Sequence, residues 1–254
     1  MTAQHPLQGR NALVTGASSG IGAATARILA ASGAHVTLAA RRADRLESLA
    51  SELRAGGGAA DTLILDVRDA AAVDRALSER GIDLAVINAG LGIGMEPLQA
   101  GDVEEWSTMI DTNVKGLLHV ARAVLPGMLE RASGDVVLLG SIAGREVYPN
   151  GNVYCATKHA VHALYKALRI DAGASGVRFT TVDPGMVETE FSVVRFRGDG
   201  DAADRVYAGM NPLTPADVAD AIHYAVTRPP HVNVGELVLW PTDQASATKV
   251  RRES

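Results

Sequence analysis

The stretch LVTGASSGIGAATARILA, residues 13–30, runs from aliphatic and β-branched residues through three glycines into a segment with apolar residues three and four apart. That order predicts a strand, a tight turn and a helix. Glycines at 16, 20 and 22 permit the turn, let the backbone approach a pyrophosphate and let the helix pack close to the sheet, while the helix N-terminus adds free N–H groups and positive dipole. The stretch therefore reads as a cradle for a dinucleotide. Its spacing is G-x-x-x-G-x-G rather than G-x-G-x-x-G, and as a bare pattern it also fits ordinary turn glycines. What favours the phosphate reading is its place between a strand and a helix.

Outward from this stretch the alternation repeats. NALVTG, AHVTLAA, DTLILDV, IDLAVINAG, GDVVLLGS, GVRFTTVDPG and GELVLWP are short aliphatic runs, and segments such as IGAATARILAAS and ADRLESLASELRA carry helical spacing. Continuously apolar strands alternating with helices imply a mainly parallel sheet covered on both faces. The fold expected is α/β, a single-domain Rossmann-type doubly wound sheet of about seven strands, with residues 1–254 as one dinucleotide-binding catalytic domain. The alternation lapses between Pro184 and Pro215, beyond the end of a strand, where open α/β sheets place their ligands. Residues 185–213 are accordingly expected to be a substrate-covering lid; the alternative is a pair of solvent-exposed helices with no role in binding.

The 254 residues are 47% apolar with a formal net charge of -5, and Lys and Arg are scattered. No basic footprint speaks for nucleic acid, so a small-molecule partner is expected. The polar start MTAQHPLQGR does not resemble a signal peptide, and no run approaches the roughly 20 apolar residues of a membrane span, which points to the cytoplasm. Cys155, the only cysteine, has no Cys or His at metal-ligand spacing and reads as a structural thiol in a reducing compartment. The seven histidines share no metal spacing, so no metal is expected; only His159, beside Lys158, is expected to affect the local field.

The second strand ends at Ala40 and is followed by Arg41 and Arg42, where dinucleotide folds commonly carry an acidic residue for the ribose hydroxyls. Guanidinium groups pair with a 2′-phosphate that a carboxylate would repel. The cofactor predicted is NADP rather than NAD, although paired arginines at a strand end, taken alone, equally fit a solvated surface.

Tyr154 and Lys158, in NVYCATKHA, lie one helical turn apart and share a face. A phenol ordinarily near pKa 10 becomes a better proton exchanger beside an ammonium group, which favours the phenolate. The pair alone is a common surface spacing. Together with TGASSGIG, NAG at Asn88, Ala89 and Gly90, Asn113 in TNVKG and Ser141 thirteen residues before Tyr154, it resembles the short-chain dehydrogenases/reductases over nearly the whole chain.

That resemblance implies a catalytic set of Asn113, Ser141, Tyr154 and Lys158. Tyr154 would exchange the proton, Ser141 orient the substrate oxygen, Lys158 also hold the nicotinamide ribose, and Asn113 hold a water in a relay to the lysine. It implies cofactor contacts from Gly16, Ser18, Ser19, Gly20 and Ile21, from Asp66 and Val67 beside the adenine, and from Pro184, Gly185, Val187 and Thr189 on the nicotinamide side. Two positions depart from the family pattern: Ile87 stands where the first Asn of NNAG would be, and Gly140 precedes Ser141 in place of a serine.

A narrower resemblance, in SIAGREVYPNGNVYCATK, ETEFSVVRFRGD, NPLTPADVADAI and RPPHVNVGELVLWPTDQAS, is to the NADP-dependent 3-hydroxy acid dehydrogenases that act on serine, L-allo-threonine, 3-hydroxyisobutyrate and malonic semialdehyde. A small hydroxy acid needs a counterion, and Arg145, Arg195 and Arg197, with Tyr148 nearby, are the candidates; Arg145 and Arg195 rank first. For Arg195 and Arg197 the alternative is surface pairing with Asp199, Asp201 or Asp204. Rival functions are an NADPH-dependent reductase of secondary metabolism, acting on a clavulanate-type aldehyde, and a non-catalytic NADP-binding regulator. The family implies a homotetramer, with VEEWSTMIDTNVKGLLHVARAVLPGMLERA and the Tyr154 helix as candidate contacts. In the tail PTDQASATKVRRES the first half is expected to reach a neighbouring subunit and the last few residues to fray.

Overall fold

Aliphatic runs unbroken by polar residues become strands buried on both faces, and the chain builds its sheet from these. The computed structural model describes residues 5–172 and 174–253; Met1–Gln4, Gly173 and Ser254, within the span expected as one domain, lie outside the described residues. The strands are β1 (Asn11–Thr15), β2 (His35–Ala40), β3 (Ala59–Ile64), β4 (Leu84–Ile87), β5 (Gly134–Leu139), β6 (Val177–Pro184) and β7 (Glu236–Leu239). They form one seven-stranded sheet in the order β3-β2-β1-β4-β5-β6-β7. Every pairing is parallel.

Helices cover both faces. Helices α1 (Gly20–Ala31) and α2 (Ala43–Ala55) pack on one face, while α3 (Ala70–Leu77) belongs to the other. Further along are α4 (Val103–Ile110), α5 (Gly116–Glu130), α6 (Asn152–Asp171), α7 (Glu190–Arg195), α8 (Gly200–Tyr207) and α9 (Pro215–Val226). Leu29, Leu46, Leu49 and Ile222 bind α1, α2 and α9 to the first face, and Val73, Val120, Val124 and Tyr165 bind α3, α5 and α6 to the second. Two apolar layers against one sheet make the doubly wound core. The strand order reverses between β1 and β4, which opens a crevice beyond their carboxyl ends.

Three features of the fold have local causes. The helical segment from Val103 is two helices joined by a π turn, Asp111–Lys115, where Asn113 is drawn inward by hydrogen bonds to the chain around Leu91. The 185–213 segment contains α7 and α8, each started by a side-chain cap, Thr189 and Asp199. The tail does not fray up to Glu253: Glu253 N donates to Gly209 O at 2.7 Å, and Arg251 pairs with the buried Asp243. Its first half also turns inward, with Gln244 Oε1 accepting from Met186 N at 2.9 Å.

Candidate active site

The turn after β1 is shaped by contacts that leave no room for side chains. Gly16 has φ +67°, and a Cβ there would press on Asn88 and Ala89; a Cβ on Gly22 would overlap the Gly16 carbonyl oxygen. Asn88 ties the β4 end to this turn, its Nδ2 donating to Thr15 O at 2.8 Å, while buried Thr15 Oγ1 accepts from the N–H groups of Asn88 and Ala89 at 3.0 Å each. The Ile87 departure is filled by packing: its side chain is buried in the second core layer, so no polar group is stranded there.

A cleft of about 310 Å³ runs from this turn across Arg41, Arg42, Asp66 and Val67 to Gly90 and Thr189. Gly16, Ser18, Ser19, Gly20, Ile21, Asn88 and Ala89 line it as well. Backbone bared at three glycines, a helix start and two arginines at one corner fit a phosphorylated dinucleotide. Arg42 donates to Ser18 Oγ and Ser19 Oγ at 2.8–3.1 Å and to Glu190 at 2.9 Å. Asp66 is held by Arg68 through both carboxylate oxygens, and that hydrogen bonding keeps its carboxyl below the ordinary range.

An adjoining cavity of about 280 Å³ opens from the same rim, lined by Ser141, Tyr154, Lys158, Tyr148 and Arg195 and by Pro184, Gly185, Val187 and Thr189. Helix α6 brings Tyr154 and Lys158 to its wall, β5 ends just before Ser141, and α7 supplies Arg195. Lys158 is buried and donates from Nζ to Leu139 O at 2.9 Å. Ser141 Oγ caps a short 3-10 turn by accepting from Ala143 N at 3.1 Å.

The electrostatics differ from the sequence expectation. Burial pushes the Tyr154 phenol above its ordinary value; the neighbouring Tyr148 adds to this, and a hydrogen bond with Ser141 and the charge of Arg195 oppose it. Lys158 does not offset this, because its Nζ lies 5.9 Å from the Tyr154 ring centroid, turned to the Leu139 carbonyl, and burial pushes its own ammonium down to about 8. Without cofactor the phenol is therefore a held proton, not a phenolate.

Asn113 is committed to the protein. Its Oδ1 accepts from Leu91 N at 2.8 Å and its Nδ2 donates to Leu91 O at 2.8 Å and Thr157 Oγ1 at 3.0 Å. Thr157 in turn donates to Tyr154 O at 2.8 Å. The amide thus holds the rim of the crevice to the helix of Tyr154, and leaves one lone pair on Oδ1 for the water the sequence reading assigns to it.

Arg145 is a correction. It does not line the cavity: its Nε donates to Asp183 Oδ2 at 2.7 Å and its Nη2 pairs with Asp183 and Glu236. Asp183, at the end of β6, is 1% exposed and needs that counter-charge. Gly140 belongs to the same arrangement, since a side chain there would collide with the Asp183 carboxylate; this is the physical content of the second departure from the family pattern. The histidine facing this ion cluster is His162, 4.0 Å from Asp183, while His159 is exposed and bonded to Cys155 O. Arg197 pairs with Glu96 and Glu105 rather than with the aspartates of its own segment.

Sequence reasoning missed Phe191, Tyr207, Met95, Gln244 and Ala247, all of which line the same cavity as Ser141, Tyr154 and Lys158. Phe191 stands 5.3 Å from the Tyr154 ring, centroid to centroid. No periodicity marked these residues, because they come from α7, α8, a loop and the tail, which meet only in the folded chain.

A dinucleotide groove continuous with a serine, tyrosine and lysine cavity defines an oxidoreductase of the kind that moves hydride at an alcohol carbon. The chain belongs to the short-chain dehydrogenase family, whose model matches residues 10–199. It is 44% identical to an NADP-dependent 3-hydroxy acid dehydrogenase of Escherichia coli over 92% of this chain and 96% of that protein. It is 46% identical to sulfoacetaldehyde reductase 2 of Chromohalobacter salexigens over 95% and 98%. The closed form of a serine dehydrogenase complexed with NADP+ superposes with a TM-score of 0.90 at 43% identity, covering 96% of this chain and 100% of that one. The chain is an NADP-dependent oxidoreductase acting on CH–OH groups. Among the described residues no helix is long and apolar enough to cross a membrane.

Proposed function

We propose that the chain moves a hydride between NADP and a small molecule whose alcohol or carbonyl carbon lies close to an anionic group: the 3-hydroxy acid class, with serine, L-allo-threonine and 3-hydroxyisobutyrate as alcohols and malonic semialdehyde as a carbonyl form. The observation that carries this reading is Arg195. It is 8% exposed, its guanidinium carbon lies 5.1 Å from the Tyr154 ring centroid, and its Nη1 donates to Tyr148 Oη at 2.7 Å. Its Nε is buried without a hydrogen-bond partner, and no carboxylate pairs with it among the described residues. A buried cation left unpaired is costly, and a substrate carboxylate entering the cavity would meet both unused donors and charge.

NADP, when bound, gives or takes the hydride at its nicotinamide. The chain's part is then to hold and move a proton. Ser141 hydrogen-bonds the substrate oxygen, Tyr154 gives that oxygen its proton on reduction and takes it back on oxidation, and Lys158 holds the cofactor ribose. Asn113 fixes the rim at Leu91 against the helix of Tyr154. Residues 185–213 cover the substrate, with Phe191, Ser192, Arg195, Phe196, Val206 and Tyr207 facing the cavity.

Arg195→Ala is expected to raise KM for L-serine and 3-hydroxyisobutyrate by roughly 10- to 100-fold, the worth of a charge-assisted hydrogen bond, and to leave an uncharged short aldehyde unaffected. Unchanged KM values for the acids would remove the clamp from the reading. A second reading comes from the sulfoacetaldehyde reductase relative: a sulfonate also suits a guanidinium, so kcat/KM for sulfoacetaldehyde against malonic semialdehyde decides between the two anions. The homotetramer is part of the same proposal, supported by Val103, Ile110, Leu118 and Leu129, which leave α4 and α5 with exposed apolar side chains. A monomeric native mass would reject it.

A further inference from the structure

Glu190, the first residue of α7, is a carboxylate standing in the corner of the groove where the sequence and the relatives call for a phosphate. It lines the same cleft as Arg41 and Arg42. Its Oε2 accepts from Arg42 Nη1 at 2.9 Å, and its Oε1 pairs with Arg45. The hydrogen bond from Arg45, with Arg42 behind it, holds its carboxyl down at about 2, so it is charged at any working pH. Arg42 is used up in this arrangement, since its remaining arms bind Ser18 and Ser19.

We propose that Glu190 competes with the adenosine 2′-phosphate of NADP for Arg42 and Arg45, and so sets how strongly this chain prefers NADP to NAD. The proposal rests on the placement of that phosphate at Arg41 and Arg42. A phosphate arriving there meets a carboxylate already paired with Arg42 and Arg45, and part of the attraction is cancelled by that like charge. NAD presents a neutral hydroxyl at the same atom, which a carboxylate does not repel. Glu190 therefore costs NADP affinity and spares NAD. It is not needed to seat α7, because Thr189 caps that helix by accepting from Phe191 N at 3.2 Å and a Cβ on Gly20 would already touch its methyl group at 3.2 Å.

The test uses the full chain and two adenosine probes, 2′,5′-ADP and 5′-AMP, alongside NADPH and NADH. Glu190→Gln is expected to bind 2′,5′-ADP and NADPH about fivefold more tightly at low salt, with 5′-AMP and NADH unmoved, and the gain is expected to shrink as salt rises. Weaker 2′,5′-ADP binding, no change in it, or an equal change in both probes overturns the proposal. Arg42→Ala separates the two layers of the reading: it is expected to weaken 2′,5′-ADP selectively. If it does and Glu190→Gln has no effect, Glu190 alone is wrong; if it does not, the phosphate sits elsewhere and the placement falls with it. Glu190→Ala repeats the measurement should the Gln variant lose its fold.

Discussion

Replacing Tyr154 by Phe is expected to lower turnover by about 10²–10⁴-fold, the usual worth of a positioned proton donor. NADP affinity is expected to stay within about twofold, because the substitution keeps the ring that packs against Phe191 and removes only the hydroxyl. The size of the loss follows from the site. Burial holds the phenol protonated at the cavity wall, so the proton it would give to the substrate oxygen is lost with the hydroxyl. Steady-state turnover of malonic semialdehyde with NADPH, beside a direct titration of NADPH, reads both halves. Retained turnover with intact cofactor binding would take the proton transfer away from this residue.

Lys158→Met is expected to abolish turnover to a similar degree and yet to stabilise the cofactor-free protein. The lysine is 6% exposed, and burial brings its ammonium from 10.5 down to about 8. That depression corresponds to about 3 kcal/mol against the charged form in the fold. The folded chain thus sheds this proton before the unfolded chain does. Between about pH 8 and 10.5 the unfolded state binds more protons, and stability rises with pH; below about 8 the full cost of a buried ammonium is present. Methionine fills similar space without the charge. At pH 7 the variant's melting temperature is expected to exceed that of the parent, and the gap to close as pH rises toward 10. A variant less stable than the parent at pH 7 would mean that the bond from Nζ to Leu139 O outweighs the desolvation. A residue kept at such a cost is what a functional site looks like from the stability side.

Both predictions concern residues that the sequence already marked, which shows what kind of information a chain carries openly. Aliphatic runs and helical spacing determined the fold, since burial on both faces of a parallel sheet imposes its period directly on the residues. The glycines at 16, 20 and 22, the arginines at 41 and 42 and the spacing of Ser141, Tyr154 and Lys158 were legible because each lies in or beside a regular element whose geometry is local. Arg145 and Arg195 looked alike as sequence, each a guanidinium near a catalytic element. Only the folded chain separates them: the end of β6 brings buried Asp183 against Arg145, while α7 lays Arg195 among the rings of Tyr148, Tyr154 and Phe191 with one nitrogen unpartnered. Likewise the sequence paired Lys158 with Tyr154, yet the charge state of each is decided by how much water the fold removes and where Nζ points. Local periodicity is written along the chain; long-range contact and desolvation are properties of segments far apart in sequence, and exist only once those segments meet.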